Sequence, residues 1–186
     1  RCARRGAGPE SARPCALVRA RSQWSPFVIE CPHAERCGGC ALIGHSLEVQ
    51  HALKRERVER ALHRYAGLAH AELSELVAAE PSTRYRTRAK LVVSETGEIG
   101  LYERGTHSVV DIPQCQVLAP SLLAVSQALR ELLAGTRPLP VSGIDLREVW
   151  DEQRARVLVT LIGPPRARAA IVLLAARAAQ IPGVAG

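Results

Sequence analysis

Apolar and polar positions follow two different periods along this chain, and the points where the period changes mark its elements. Leu47, Val58, Ala61, Leu62 and Tyr65 fall on one side of a helical repeat, while Lys54, Arg55, Arg57, Arg60 and Arg64 alternate with Glu56 and Glu59 around the remainder. The pattern predicts a helix over about 47–65 whose charged side is a solvated face laced with ion pairs. Ser46 is placed to cap it, Glu48 suits its first turn, and Gly67 follows its end. Residues 68–81 read as a loop or short helical piece ending at Pro81.

In TRYRTRAKLVV, residues 83–93, the period falls to two. Arg84, Arg86, Arg88 and Lys90 then share one face of a predicted strand, and Tyr85, Thr87, Ala89, Leu91 and Val93 share the other. SETGE is a turn, IGLYE (99–103) a second strand, RGTH another turn and SVVDI (108–112) a third strand, which together predict an antiparallel meander ending at Pro113-Gln114-Cys115. Helical spacing returns at Leu122, Val125, Leu129, Leu132 and Leu133, with Pro120 at the start and Gly135 just past the end. IDLREVW (144–150), the turn DEQR and ARVLVTLI (155–162) predict a hairpin. After Pro164-Pro165 an Ala-rich helix is expected over 166–179, stopped by Pro182-Gly183. The order of helix, three strands, helix, two strands and helix predicts an α+β fold with a mainly antiparallel sheet.

Composition changes this picture in two ways. A hydrophobic content of 47% in 186 residues is enough for a packed core and excludes a disordered chain. No apolar run approaches the ~20 residues of a transmembrane helix and no basic-then-apolar leader opens the chain. The expected setting is therefore the cytoplasm, with no membrane and no protein partner indicated. There, clustered cysteines serve as metal ligands or catalytic groups more often than as disulfides. The net charge is +7, and 23 of the 25 cationic residues are arginine. Arginine forks suit phosphate and base edges, so RNA is a fitting partner, although GC-rich coding gives the same bias. The first residue is Arg1 and methionine is absent, which points to a chain cut at its ends.

Three of the six cysteines lie in CPHAERCGGC, residues 31–40. The spacing is C-x5-C-x2-C, through Cys31, Cys37 and Cys40, and Cys115 follows 75 residues later. A meander folds back on itself, so Cys115 can return to the first three. Gly38 and Gly39 leave room for close backbone approach and expose amides that can donate to sulfur. Four cysteines suit zinc or an iron–sulfur cluster. A single C-x2-C knuckle with one thiol upstream favours the wider spread of a [4Fe–4S] cluster, while His33 and His45 keep zinc open. Cys2 and Cys15 fall outside the pattern, in neither case with surroundings that activate a nucleophile.

CPHAERCGGCALIGHSLEVQHALKRERVERAL, followed by YRTRAKLVVSETGEIGLYERGTHSVVDIPQCQVLAP, resembles the cluster-bearing branch of the RNA uracil-5 methyltransferases, which methylate uridine in 23S ribosomal RNA. The resemblance is close over about residues 24–125 and looser beyond. It implies that Cys31, Cys37, Cys40 and Cys115 hold a [4Fe–4S] cluster. It also implies that a small RNA-binding barrel of the TRAM type precedes the cysteines, with ALVRARSQW as its last strand. In that family the S-adenosylmethionine site, the cysteine that adds to uracil C6 and the carboxylate that removes the C5 proton lie in a Rossmann-like domain. This sequence shows no Gly-rich strand-to-helix turn of the cofactor-binding kind, so no catalytic or S-adenosylmethionine-binding residue is expected in it.

The expected organisation is a barrel remnant or basic tail over 1–23, an iron–sulfur loop over 24–45 and a central α+β RNA-binding domain over 46–186. Arg84, Arg86, Arg88 and Lys90 are the candidate RNA contacts. The competing readings are a non-enzymatic zinc-binding nucleic-acid module, a transfer-RNA methyltransferase of the same chemistry and a small electron carrier.

Overall fold

The computed structural model of the chain describes residues 27–136 and 138–185. The predicted barrel remnant at 1–23 lies outside them, as do Cys2 and Cys15. The first helix, α1, spans Leu47–Leu62, with the Ser46 side chain accepting from the Val49 amide at its start. It is shorter than the predicted 47–65, and a 3-10 turn at Ala66–Leu68 follows it. The expected ion-pair lacing is present as Arg55–Glu59 and Arg60–Glu56. The expected apolar stripe is covered only in part: Leu47 packs against a small core and Leu62 is partly buried, but Val58 is 48% and Tyr65 65% exposed. Only Gln50 is buried on this helix, donating through Nε2 to the His45 carbonyl at 3.0 Å. Arg55 also donates to the carbonyls of Leu73 and Ser74, which fastens the following loop to the helix.

The strand predicted from Thr83 begins later: β1 is Arg88–Val93. Arg84 adopts a left-handed backbone conformation, φ 58°, which breaks the alternation. The backbone of 84–86 bonds instead to the segment after β3, with Arg84 N–H donating to the Gln116 carbonyl and Arg86 N–H to the Val117 carbonyl. β2 (Ile99–Tyr102) and β3 (Val109–Asp111) complete the meander. Helix α2 (Pro120–Ala134) buries Leu122, Val125, Leu129 and Leu133, as its spacing predicts, together with Ser126, whose hydroxyl donates to the Leu123 carbonyl. Strands β4 (Gly143–Asp151) and β5 (Arg154–Ile162) form the predicted hairpin, paired without a break from Gly143↔Ile162 to Asp151↔Arg154. Its two turn residues, Glu152 and Gln153, both have positive φ, which matches the twist of the flanking strands. A 3-10 turn, Pro165–Ala167, leads into α3 (Arg168–Ala178).

The five strands form one open antiparallel sheet in the order β3-β2-β1-β4-β5, with the helices as the α part of an α+β fold. Its core joins Leu91, Ile99, Ile112, Ile144, Leu146 and Val157 of the sheet segments to the buried stripe of α2 and to Leu174 and Ala178 of α3. A second, smaller core of Ile29, Ile43 and Val117 lies under residues 31–45. Val117 and Leu118 are adjacent in the chain but root in different cores.

Arg130 of α2 ties the β2–β3 edge to the core. It donates to Asp111 Oδ1 at 2.9 Å, to the Ile99 carbonyl at 2.6 Å and to the Ser126 hydroxyl at 3.2 Å. No helix among the described residues is long and apolar enough to cross a membrane.

Candidate metal centre

Residues 31–45 form a run of tight turns, held by the Ala34 amide on the Cys31 carbonyl and the Cys37 amide on the His33 carbonyl. The run is joined to the end of β2. Cys37 bridges Glu103, the Gly38 amide donates to the Tyr102 carbonyl at 3.0 Å, and Arg36 pairs with Glu103 at 2.9 Å. Arg104 returns a bond to the Cys40 carbonyl at 3.2 Å. Backbone approach requires glycine at Gly38, while at Gly39 the close neighbour is the end of a leucine side chain. A Cβ on Gly38 would stand 2.7 Å from the Tyr102 carbonyl oxygen, and one on Gly39 would stand 2.5 Å from Leu101 Cδ1. The Gly39 amide points at Cys37 Sγ, 3.4 Å away.

Cys115 arrives from the other direction, at the end of the meander, its amide donating to the Ile112 carbonyl. It packs against both hydrophobic cores, whereas Cys31 and Cys40 pack against the smaller and Cys37 against the larger. All four cysteines line one small cavity of about 20 Å³, together with Arg86 and Leu101. All four are free thiols and partly buried. Burial pushes the Cys40 thiol up from its ordinary pKa, Arg86 opposes that shift, and the neighbouring Cys115, Cys37 and Cys31 add to it. Among the described residues no group of three or more Cys, His, Asp or Glu side chains is placed to hold a metal ion. The thiols surround a cavity and present a soft donor set around it.

His33 lines the same cavity, and its Nε2 accepts from the Gln114 amide at 3.4 Å. Burial lowers its pKa, against an opposing pull from Asp111, so the imidazole favours the neutral form. His45 is exposed and contributes its carbonyl to Gln50.

The four candidate RNA contacts are divided by the late start of β1. Arg88 and Lys90 stand on the outward side of the strand, opposite Arg147 and Asp145 of β4. Arg86 is half-buried at the cysteine cavity and also borders a second cavity with Arg88 and Lys90. Arg84 is exposed and faces α2 near Pro120 and Glu131. Arg88 is bound at both ends of its fork by Asp145, at 2.8 and 3.3 Å. Sequence reasoning missed Asp145. Its place opposite Lys90 follows from a cross-strand register that alternation alone does not set.

The Arg88 hydrogen bond holds the Asp145 carboxyl below its ordinary pKa. The folded chain therefore binds this proton less readily than the unfolded chain. The pair stabilises the fold above the usual carboxylate range, and that contribution is lost as pH falls through the depressed value. Asp145→Asn is expected to lower the thermal midpoint slightly near neutral pH and not at all in strong acid; thermal unfolding of both proteins at the two pH values checks it.

No protein-family profile matches the chain. Individual proteins do. The chain is 37% identical over 107 residues to an uncharacterized RNA methyltransferase of Geobacter sulfurreducens, covering 56% of this chain and 22% of that protein. It is 36% identical over 148 residues to an uncharacterized RNA methyltransferase of Brucella suis, covering 71% of this chain and 35% of the relative. The chain is a relative of proteins named as RNA methyltransferases. One of these is named a 23S rRNA (uracil(1939)-C(5))-methyltransferase, from Erwinia tasmaniensis, with 34% identity over 117 residues, 59% of this chain and 26% of that protein. The chain thus spans roughly a fifth to a third of the length of these curated relatives.

Proposed function

We propose that this chain is the [4Fe–4S]-holding and RNA-gripping part of an S-adenosylmethionine-dependent 23S rRNA uracil-5 methyltransferase of the cytoplasm. The observation that carries the reading is the shared cavity. Three thiols from one ten-residue stretch and a fourth from 75 residues away line the same space. In chemical type the donor set suits the cluster, although the thiols are not already gathered about a single metal position. Four thiols are its usual ligands, the Gly39 amide is aimed at one sulfur, and the apolar surroundings limit water. Cys31, Cys37, Cys40 and Cys115 would hold it. When bound, the cluster supplies four metal–thiolate bonds that fasten residues 31–40 to the end of the β-meander.

The relatives' names support methyl transfer to RNA as the activity of the whole protein. Uracil C5 is a poor nucleophile until a thiolate adds at C6, and this covalent step divides one hard reaction into two. The target base must also be unstacked, which calls for an RNA grip beyond the reacting pocket. Residues 46–186 would provide part of that grip through the exposed Arg84, Arg88 and Lys90. The S-adenosylmethionine site and the reacting groups belong to other parts of such a protein.

The test is anaerobic purification followed by metal and sulfide analysis and RNA titration at several salt concentrations. A brown protein with about four irons and four sulfides per chain is expected. Its affinity for RNA should fall with salt, more steeply than in a chain with Arg84, Arg88 and Lys90 neutralised. A colourless protein holding one tight zinc would replace this reading with a zinc-binding nucleic-acid module.

A further inference from the structure

Arg86 is unlike the other cations near it. Its backbone is pinned on both sides, its N–H donating to the Val117 carbonyl at 2.8 Å and its carbonyl accepting from the Ala119 amide at 2.9 Å. These bonds hold it against the segment that begins at Cys115. Its side chain is half-buried and lines the cavity of the four cysteines. Arg88, two residues on, has Asp145 as its carboxylate partner. Among the described residues Arg86 has no carboxylate partner. A partly buried cation without an acidic partner is costly unless other negative charge faces it. The cavity it lines holds the four thiols, His33 and Gln116 and no carboxylate, and on its other side Arg86 borders a cavity shared with the cations Arg88 and Lys90.

Resting on the cluster reading above, we infer that Arg86 is the counter-charge of the cysteine centre: a positioning residue that offsets the negative charge of a thiolate-bound cluster, and not an RNA-phosphate contact. Four thiolates outweigh the positive charge of an oxidised iron–sulfur core, so the loaded site carries net negative charge. A fixed guanidinium at the cavity wall stabilises that charge, and stabilises the reduced cluster more than the oxidised one. The exposed Arg84 and Lys90 and the outward Arg88 have no such role.

The experiment compares the wild-type chain with Arg86→Gln, Arg86→Lys and, as a control for overall charge, Arg166→Gln in the turn before α3. Each is reconstituted anaerobically with ferrous iron and sulfide. Iron release to a chelator, midpoint potential and the salt slope of RNA binding are then measured. Arg86→Gln is expected to release iron about tenfold faster, as loss of a group supporting metal ligands commonly does. It should also move the potential to more negative values and leave the salt slope unchanged. Arg86→Lys should restore most of both properties, and Arg166→Gln should match the wild type. The inference is overturned if Arg86→Gln keeps wild-type iron retention and potential while the salt slope drops by one phosphate contact. Equal iron loss in the glutamine and lysine variants with an unmoved potential also overturns it, because that is the signature of packing alone. A wild-type chain that takes up neither iron nor sulfide overturns the cluster reading, and this inference with it.

Discussion

Cys115→Ser is expected to lose nearly all bound iron while the sheet stays folded. Cys115 is the one candidate ligand outside residues 31–40, so on the proposed cluster reading it alone would join the turns of that stretch to the end of the meander through the metal. A hydroxyl is a hard and poorly ionised donor and does not replace a thiolate on iron. The fold does not depend on this thiol: the larger core is built from the sheet, α2 and α3, and Cys115 only borders it. Iron and sulfide per chain, visible absorbance and circular dichroism read the three parts of the prediction. Cys2→Ser and Cys15→Ser should keep their iron. Full iron content in Cys115→Ser would leave the shared cavity without a metal-binding meaning.

The largest stability effect is expected at Arg130. Arg130→Met removes three donors at once, from Asp111, from the Ile99 carbonyl and from Ser126. Arg130 is only 15% exposed and Asp111 33%. Asp111 keeps the Ile99 amide as a donor but loses its cation. Breaking a largely buried pair by removing one partner costs about 3 kcal/mol. Urea unfolding should show that loss as a lower midpoint with an unchanged slope. Asp111→Asn in the Arg130→Met background should cost much less than it does alone, because the two residues share one interaction. A loss under about 1 kcal/mol would mean that packing of the arginine stem, and not its bonds, holds the edge.

Much of the architecture was legible in the sequence because it repeats with a regular period. The stripe of α2 is buried as its spacing requires. The β4–β5 hairpin turns where DEQR interrupts two apolar runs. Cys115 reaches the other cysteines because three short strands fold back, a topological argument that needs no side-chain detail. Local backbone conformation was not legible. Arginine has no preference that announces φ 58° at Arg84, so the strand was extended five residues too early and four cations were aligned on one face. The α1 stripe misled for another reason: a helical period reports which positions could face a core, not whether anything covers them. Arg130 and Asp145 were missed because each is defined by a partner on another element, set by register and packing.

The adjacency of Val117 and Leu118 has a consequence for motion. One side chain is rooted under the cysteine turns and the other in the main core, so a boundary between two separately opening units is expected to fall at this peptide. The smaller cluster has Ile29, Ile43 and Val117 as its buried members, so its opening is expected to cost less than unfolding of the sheet. Amide hydrogen exchange should therefore divide there, with slow protons from Leu118 into α2 and faster ones through residues 31–45.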